Sequence, residues 1–554
     1  MRRLLLILLL LQMVSCAEKP ADKVPLPAAP TSAASHREIT IDDYKSRLGT
    51  ISSDEFGGRG PGTEGEQRTV DYLTQSFKAM GLEPGNHGEW VQEVSAVAVR
   101  RTNSTPLVIQ VRGTDIRLAS PNEYVAITQQ QKPEVLLESS PVVYGGYCID
   151  APERRWNDFA GIDVAGKTVI CLVSDPGNQD PALFDGRAMT YYGRYTYKFE
   201  EAARRGAAAV LVVHETSAAG YPWSPVATTW AEPRYALPLD AASPPVLPVA
   251  GWITTDAARK VFAAAGLDFD TLKAAAARPG FRPVPLDARA SGDIASAIVR
   301  TRTSNVLTLK RGAKRPDEVI VYTAHWDHLG TDKSLTGHQI YNGAIDNGTG
   351  VAALLEIAGK FAGQTPERSV LFIAVTLEES GLMGSAWYVA HPVFPLDHTV
   401  ADINIDALAI IGPTHDMTLA GSGYSELDAY LARALAAQGR HLSPDQHPEA
   451  GNYFRSDHFN FAKAGVPALY PGTGSDLVEG GTTAGQAALT DYGEHRYHQV
   501  TDTYDPDWDF RGVIQDVEAL YQMGAALANE TTFPAWTRDG PFRAKRQAMM
   551  DARH

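Results

Sequence analysis

The chain has 554 residues, 44% of them hydrophobic and 21% charged, which is enough apolar content for more than one core. Its 65 acidic residues outnumber the 50 basic ones, for a formal net charge of −15 at pH 7. No Lys/Arg cluster is available to neutralise phosphates, and this argues against a nucleic-acid partner.

Met1-Arg2-Arg3 opens the chain with positive charge, and residues 4–14 form an apolar run too short to span a bilayer. The pair reads as an export signal. Met13-Val14-Ser15-Cys16 resembles a lipobox with Met13 in place of the usual leucine, and predicts a signal segment 1–16, a lipidated Cys16 and a place in the cell envelope. Ordinary cleavage after Ala17 is the alternative. The Ala/Pro/Ser-rich stretch 17–38 then serves as a flexible linker, so that membrane contact runs only through the lipid anchor. Past Cys16 only Cys148 and Cys171 remain; they either pair across neighbouring strands or stay as two buried thiols.

Helices are predicted over 41–48 and 63–80; in the second, Thr63 to Glu66 fits a capping box, Val70, Leu73, Phe77 and Met80 share a face, and Gly81 stops the run. From about 135 the pattern turns to short strands at 141–147, 167–173 and 208–213, with a helix at 197–205. This block interrupts the surrounding alternation and reads as an inserted domain over 135–290, with 39–134 as the N-terminal part of the main domain. Over 291–530 the chain alternates buried strands at 319–323, 369–376 and 400–405 with helices at 350–361, 426–438 and 513–528. The fold class is α/β: a doubly wound, mainly parallel sheet flanked by helices, with a β-rich insertion. The charged tail 531–554 receives no fold.

Metal-ligand residue types recur where predicted strands end. VIVYTA is followed by His325-Trp326-Asp327, AVTL by Glu378-Glu379, and DINI by Asp406. Ligands in an open parallel sheet bind beyond the carboxyl ends of the strands, so three strands deliver these groups to one place. Asp346 precedes the helix at 350, where capping that helix is its bland role. His498 stands on a late, turn-rich loop and alone reads as a surface histidine. Together His325, Asp346, Glu379, Asp406 and His498 are a ligand set for two zinc ions, because imidazoles and carboxylates suit zinc and one carboxylate bridges two ions. Adjacent Glu378 and Glu379 point different ways on a strand end, so one coordinates and the other takes a proton from water.

The motifs HWD, DNGTG, LEESGLMGS, NID and YHQ, with SDHFNFAKAGVPA from Ser456, stand in the order of the co-catalytic dizinc exopeptidase family that includes bacterial aminopeptidases and glutamate carboxypeptidase. The chain resembles that family from about 42 to 528, and its insertion is similar to a protease-associated domain. The resemblance implies two zinc ions and a peptide substrate. His325 and Asp406 would hold one ion, Glu379 and His498 the other, with Asp346 bridging. Glu378 would be the general base, Asp327 would bond the His325 ring, and the Tyr497 hydroxyl would donate to the oxyanion. It also implies a cis peptide at Asp346-Asn347. His328, His338 and His458 receive no role, Asp457 an internal hydrogen bond, and Arg455 a neighbouring acid in preference to the alternative, a substrate carboxylate.

Cleavage at the amino end is favoured, on acidic surroundings and the lack of an Arg/Lys cluster in these motifs; carboxypeptidase or dipeptidase action is the alternative. A serine hydrolase lacks its G-x-S-x-G elbow here, and a thermolysin-like enzyme its H-E-x-x-H helix. A one-metal acyl transferase of glutaminyl-cyclase type, or a non-catalytic peptide-binding envelope protein, would be expected to lose ligands. All five are present.

Overall fold

The structure, a computed structural model, describes residues 38–553. The export signal, Cys16 and the linker up to residue 37 lie outside the described residues. Among the described residues no helix is long and apolar enough to cross a membrane.

The fold is mixed α/β, with a large sheet flanked by helices. At its centre Arg315–His325 runs parallel to Arg368–Val375 on one side and to Thr399–Asn404 on the other, and Ala468–Thr473 continues the parallel order beyond. Beyond Ala468–Thr473 the strand Asp416–Ala420 runs antiparallel to it and parallel to His441–Pro444, and on the other side the pairing is antiparallel. Val284–Lys310 joins Arg368–Val375, and Val91–Arg101 joins Val284–Lys310. The sheet is therefore mixed, and the mainly parallel sheet expected from sequence is confined to its centre.

Alternation along each strand sends side chains to two buried faces. Ile320, Tyr322, Val370 and Phe372 enter the core under the helices Ile41–Ile51, Glu64–Ala79, Gly350–Ala362 and Arg511–Asn529. Val319, Val321, Leu371 and Ile373 pack on the opposite face against Tyr388, Phe459 and Phe461. Burial on both faces explains why these strands read as unbroken apolar runs. The Glu64–Ala79 helix is capped by Thr63, whose Oγ1 accepts from Gly65 N at 3.1 Å. Glu66 does not close the expected capping box; it takes the N–H of Gly62, one residue upstream, at 2.5 Å.

A second group of strands forms its own sheet. Glu134–Tyr144, Thr168–Leu172, Ala209–His214 and Val249–Thr254 follow one another in parallel, and Tyr124–Ile127 closes one edge antiparallel. On the other side Leu107–Val111 pairs with Val284–Lys310, and Thr114–Leu118 with Leu107–Val111. Three strands before residue 135 thus belong to this layer, and the expected boundary at 135 falls inside it. These strands are only 4 to 5 residues long, and the turn at Arg112-Gly113 that joins the first two marks a hairpin without saying which sheet it belongs to. Cys148 and Cys171 are bonded as a disulfide in this layer.

The Val284–Lys310 strand runs through both sheets. Its register partners change from Glu134 at Ala295 to Arg101 at Ser296, so one continuous chain passes from the second sheet into the first. The tail, given no fold from sequence, forms a helix at Pro541–Ala552. Phe542 meets the Phe459 ring edge-on at 6.2 Å, and Arg546 donates to the carbonyls of Leu396 and Thr399 at 3.1 and 3.0 Å. Arginine anchoring of this kind leaves no apolar periodicity to read.

Candidate metal centre

His325 ends the Arg315–His325 strand, Glu378 and Glu379 follow Arg368–Val375 after two residues, and Asp406 follows Thr399–Asn404 after one. The three strands are adjacent and parallel, so their carboxyl ends open on one side of the sheet. Asp346 is added by the turn ahead of Gly350–Ala362, and His498 by the loop after Gly481–His495. The Asp346-Asn347 peptide is cis.

The five expected ligands and Glu378 come together. His325 Nε2 lies 3.1 Å from Asp406 Oδ1 and 3.2 Å from Asp346 Oδ1. His498 Nε2 lies 3.1 Å from Asp346 Oδ2 and 3.0 Å from Glu379 Oε2. The two oxygens of Asp346 thus reach a different histidine each. Glu378 Oε2 is 4.0 Å from His325 Nε2. Among the described residues two groups bring their ligand atoms within 4.8 Å of one another: His325, Glu378 and Asp406, and His325, Asp346 and Glu379. Both include His325 and neither includes His498.

Two imidazoles among four nearly buried carboxylates are a donor set suited to zinc. The charge excess is visible in the proton affinities. Burial opposes a charge on His325, yet the carboxylates of Asp406 and Glu378 hold its pKa well above the ordinary histidine value. His498 is likewise pushed up to about 10, against burial, by Asp346 and Glu379. Burial raises Glu378 well above the usual carboxylate range, against the pull of His325 and with a further push from the Asp406 and Glu379 carboxylates. A carboxyl that holds a proton tightly is suited to accepting one from water.

Around this set the chain supplies a second layer of contacts. Ser456 Oγ donates to Asp406 Oδ2 and Asn404 Nδ2 to Ser456 Oγ, both at 2.6 Å. Asp502 accepts the backbone N–H of Asp346 at 3.1 Å. Arg59 is buried and donates to the carbonyls of Trp326 at 2.8 Å and Gly343 at 2.8 Å, joining the His325 and Asp346 segments.

Three expectations need correction. The Asp327 carboxylate does not bond the His325 ring: Nδ1 lies 3.1 Å from the Asp327 carbonyl oxygen and 3.9 Å from Oδ1, and the carboxylate accepts from Glu378 N instead. Backbone curvature after the strand brings the carbonyl closer than the side chain. Arg455 donates to the Ala450 carbonyl at 2.8 Å rather than to an acid. His328, left without a role, has Nδ1 at 2.6 Å from Glu379 Oε1. Tyr497 is 46% exposed, its ring stacked on His498 at 3.9 Å between centroids. Asp457 takes the expected internal hydrogen bond, from Ser385 Oγ.

Sequence reasoning also missed Ser456, Asp502 and Arg59. Ser456 lies within a motif already singled out, whereas Asp502 and Arg59 act through backbone groups and leave no pattern.

Residues 305–521 match the model of peptidase family M28. A "probable zinc metalloprotease" of Pyricularia oryzae is 34% identical over 134 residues, which cover 24% of this chain and 26% of that protein. "Aminopeptidase NAALADL1" of Mus musculus is 31% identical over 138 residues, 23% of this chain and 17% of that one. The matches therefore span about a quarter or less of these relatives' length. Among solved structures, the aminopeptidase from Aneurinibacillus sp. strain AM-1 is similar with a TM-score of 0.47 and 18% identity, over 89% of this chain and 95% of that one.

Proposed function

We propose that this chain is a zinc-dependent exopeptidase with two co-catalytic metal positions, acting at the amino end of peptides. The observation that carries the reading is Asp346, whose two carboxylate oxygens stand 3.2 and 3.1 Å from two histidines that are flanked by Asp406 and Glu379 respectively. His325 and Asp406 would hold one ion, Glu379 and His498 the second, and Asp346 both. Bound there, zinc supplies a water of lowered pKa, towards about 7, and polarises the carbonyl under attack. Glu378 accepts a proton from the attacking water and returns it to the leaving amine. Asp327, accepting from Glu378 N at 3.1 Å, positions the base as well as the strand end that carries His325. The Tyr497 hydroxyl donates to the developing oxyanion, with its ring seated on His498.

The inserted layer is read as a protease-associated domain that limits access to chain ends. Export under the N-terminal signal, with a lipid anchor at Cys16, would place the enzyme on the cell envelope, where the Cys148–Cys171 disulfide is at home.

One observation favours release of a carboxyl-terminal residue instead. Arg455 adjoins Ser456 and donates to the Ala450 carbonyl, and among the described residues it has no acid partner and the buried Nε of Arg194, from the second layer, has no hydrogen-bond partner. Both are cations suited to a terminal carboxylate.

Peptides blocked at one end or the other, offered to zinc-loaded and chelator-treated protein, test the proposal. Cleavage of amino-free peptides that stops with chelation and returns with zinc supports it. Cleavage only of amino-blocked peptides transfers the assignment to the carboxyl end, and hydrolysis indifferent to chelation removes it.

A further inference from the structure

His328 follows His325 by three residues and is buried. Its Nδ1 lies 2.6 Å from Glu379 Oε1, while Glu379 Oε2 lies 3.0 Å from His498 Nε2. The carboxylate of Glu379 is thereby divided, with one oxygen turned to His328 and one to the site. An ionised carboxylate only accepts, so the proton of this contact sits on Nδ1. Among the described residues the other nitrogen, Nε2, is buried without a hydrogen-bond partner, so the contact with Glu379 is the ring's polar attachment there.

The ring is also held in place from behind. His328 N donates to the Arg59 carbonyl at 3.3 Å, and the Arg59 guanidinium in turn holds the carbonyls of Trp326 and Gly343. Gly343 has φ of +53°, and a Cβ built there would stand 2.5 Å from His328 Cδ2. The same Cβ would stand 2.2 Å from the Asp346 carbonyl oxygen, so at this left-handed φ the glycine leaves room for that carbonyl and for the histidine ring alike.

We propose that His328 is a positioning residue for the second metal position, fixing Glu379 so that Oε2 alone is presented beside His498. The proposal rests on the dizinc reading above. A carboxylate free to turn about its last bond offers both oxygens to one cation, whereas one anchored by an N–H offers one and leaves room for other ligands. Contacts of this outer kind typically govern metal affinity by about 10–100-fold.

The test is zinc binding by the purified protein, measured by competition with a chromogenic chelator, in wild type and in H328N, H328Q and H328A. The amide nitrogen of asparagine stands near the place of Nδ1, that of glutamine near the place of Nε2. Wild type is expected to bind two zinc ions. H328Q and H328A should bind one of them about 10–100-fold more weakly with the other unchanged, and H328N should stay close to wild type. A purely space-filling role would affect H328N and H328Q alike, and that result overturns the proposal. So does wild-type affinity at both positions in H328Q. If H328A does not fold, the comparison of H328N with H328Q still decides. A wild-type protein that binds fewer than two zinc ions overturns the dizinc reading itself, and is recognised by appearing before any substitution is made.

Discussion

The side-chain amide of Asn347 donates to the carbonyl of Ile405 at 2.9 Å, clamping the turn that carries Asp346 to the strand end that carries Asp406. Its Oδ1 also accepts from Gly350 N at 2.9 Å and Ala407 N at 3.1 Å. One buried amide therefore spaces two carboxylates whose separation the metal centre depends on. Asn347→Ala strands two N–H groups and a carbonyl in the interior, at about 1–3 kcal/mol for each group that water does not reach. Unfolding in urea should show a loss of about 3 kcal/mol or more, and zinc content should fall with it. Unaltered stability and metal content would show that the clamp is redundant.

Glu378 and Asp346 should separate cleanly by substitution. Glu378→Gln removes proton transfer but leaves the ligand set, so both zinc ions should remain while kcat falls by about 100-fold or more. Zinc lost together with activity would assign Glu378 to the metal rather than to water. Asp346→Ala, which takes an oxygen from both histidines' surroundings, should empty both positions in elemental analysis. Full occupancy would refute bridging.

His458 offers a pH signature away from the ligands. It is fully buried, with Nε2 donating to the Tyr453 carbonyl at 2.6 Å and the Tyr453 and Tyr470 rings at 4.6 and 4.9 Å. Burial pushes its pKa down from 6.5 to about 3. Between those values the unfolded chain binds the proton and the folded one does not, so stability is whole above pH 6.5 and declines as pH falls towards 3. The decline from this group approaches about 1.4 kcal/mol per pH unit. Urea unfolding across that range should be steeper in wild type than in His458→Gln. Equal slopes would mean that the ring takes its proton within the fold.

Cys148 and Cys171 are bonded across 23 positions of sequence. Closing a loop of that size restricts the unfolded chain by about 3 kcal/mol. Replacing both cysteines by serine should make the inserted layer more susceptible to protease by a corresponding factor, with zinc content unchanged. Equal proteolysis rates would place the stabilisation elsewhere.

The sequence was most legible where one strand end bears one ligand. Central strands buried on both faces announce themselves as apolar runs, and His325, Glu379 and Asp406 follow them directly. Asp346 and His498 come from a turn and a loop, and only their order among the other motifs singles them out. The supporting shell was harder to read for a physical reason. Asp502 and Arg59 bind backbone carbonyls and N–H groups, which every sequence possesses, so nothing at either position signals its partner. The early start of the second layer was hidden in the same way: Leu107–Val111 owes its place to a partner strand some 180 positions later, Ala288 against Val111.

That partner strand, Val284–Lys310, is hydrogen-bonded to neighbours in both sheets along its length. A hinge needs a soft link, and this link is a spar. Swinging the second sheet against the first would mean unzipping ladder bonds one after another, so the two layers keep a set spacing and turn as one body.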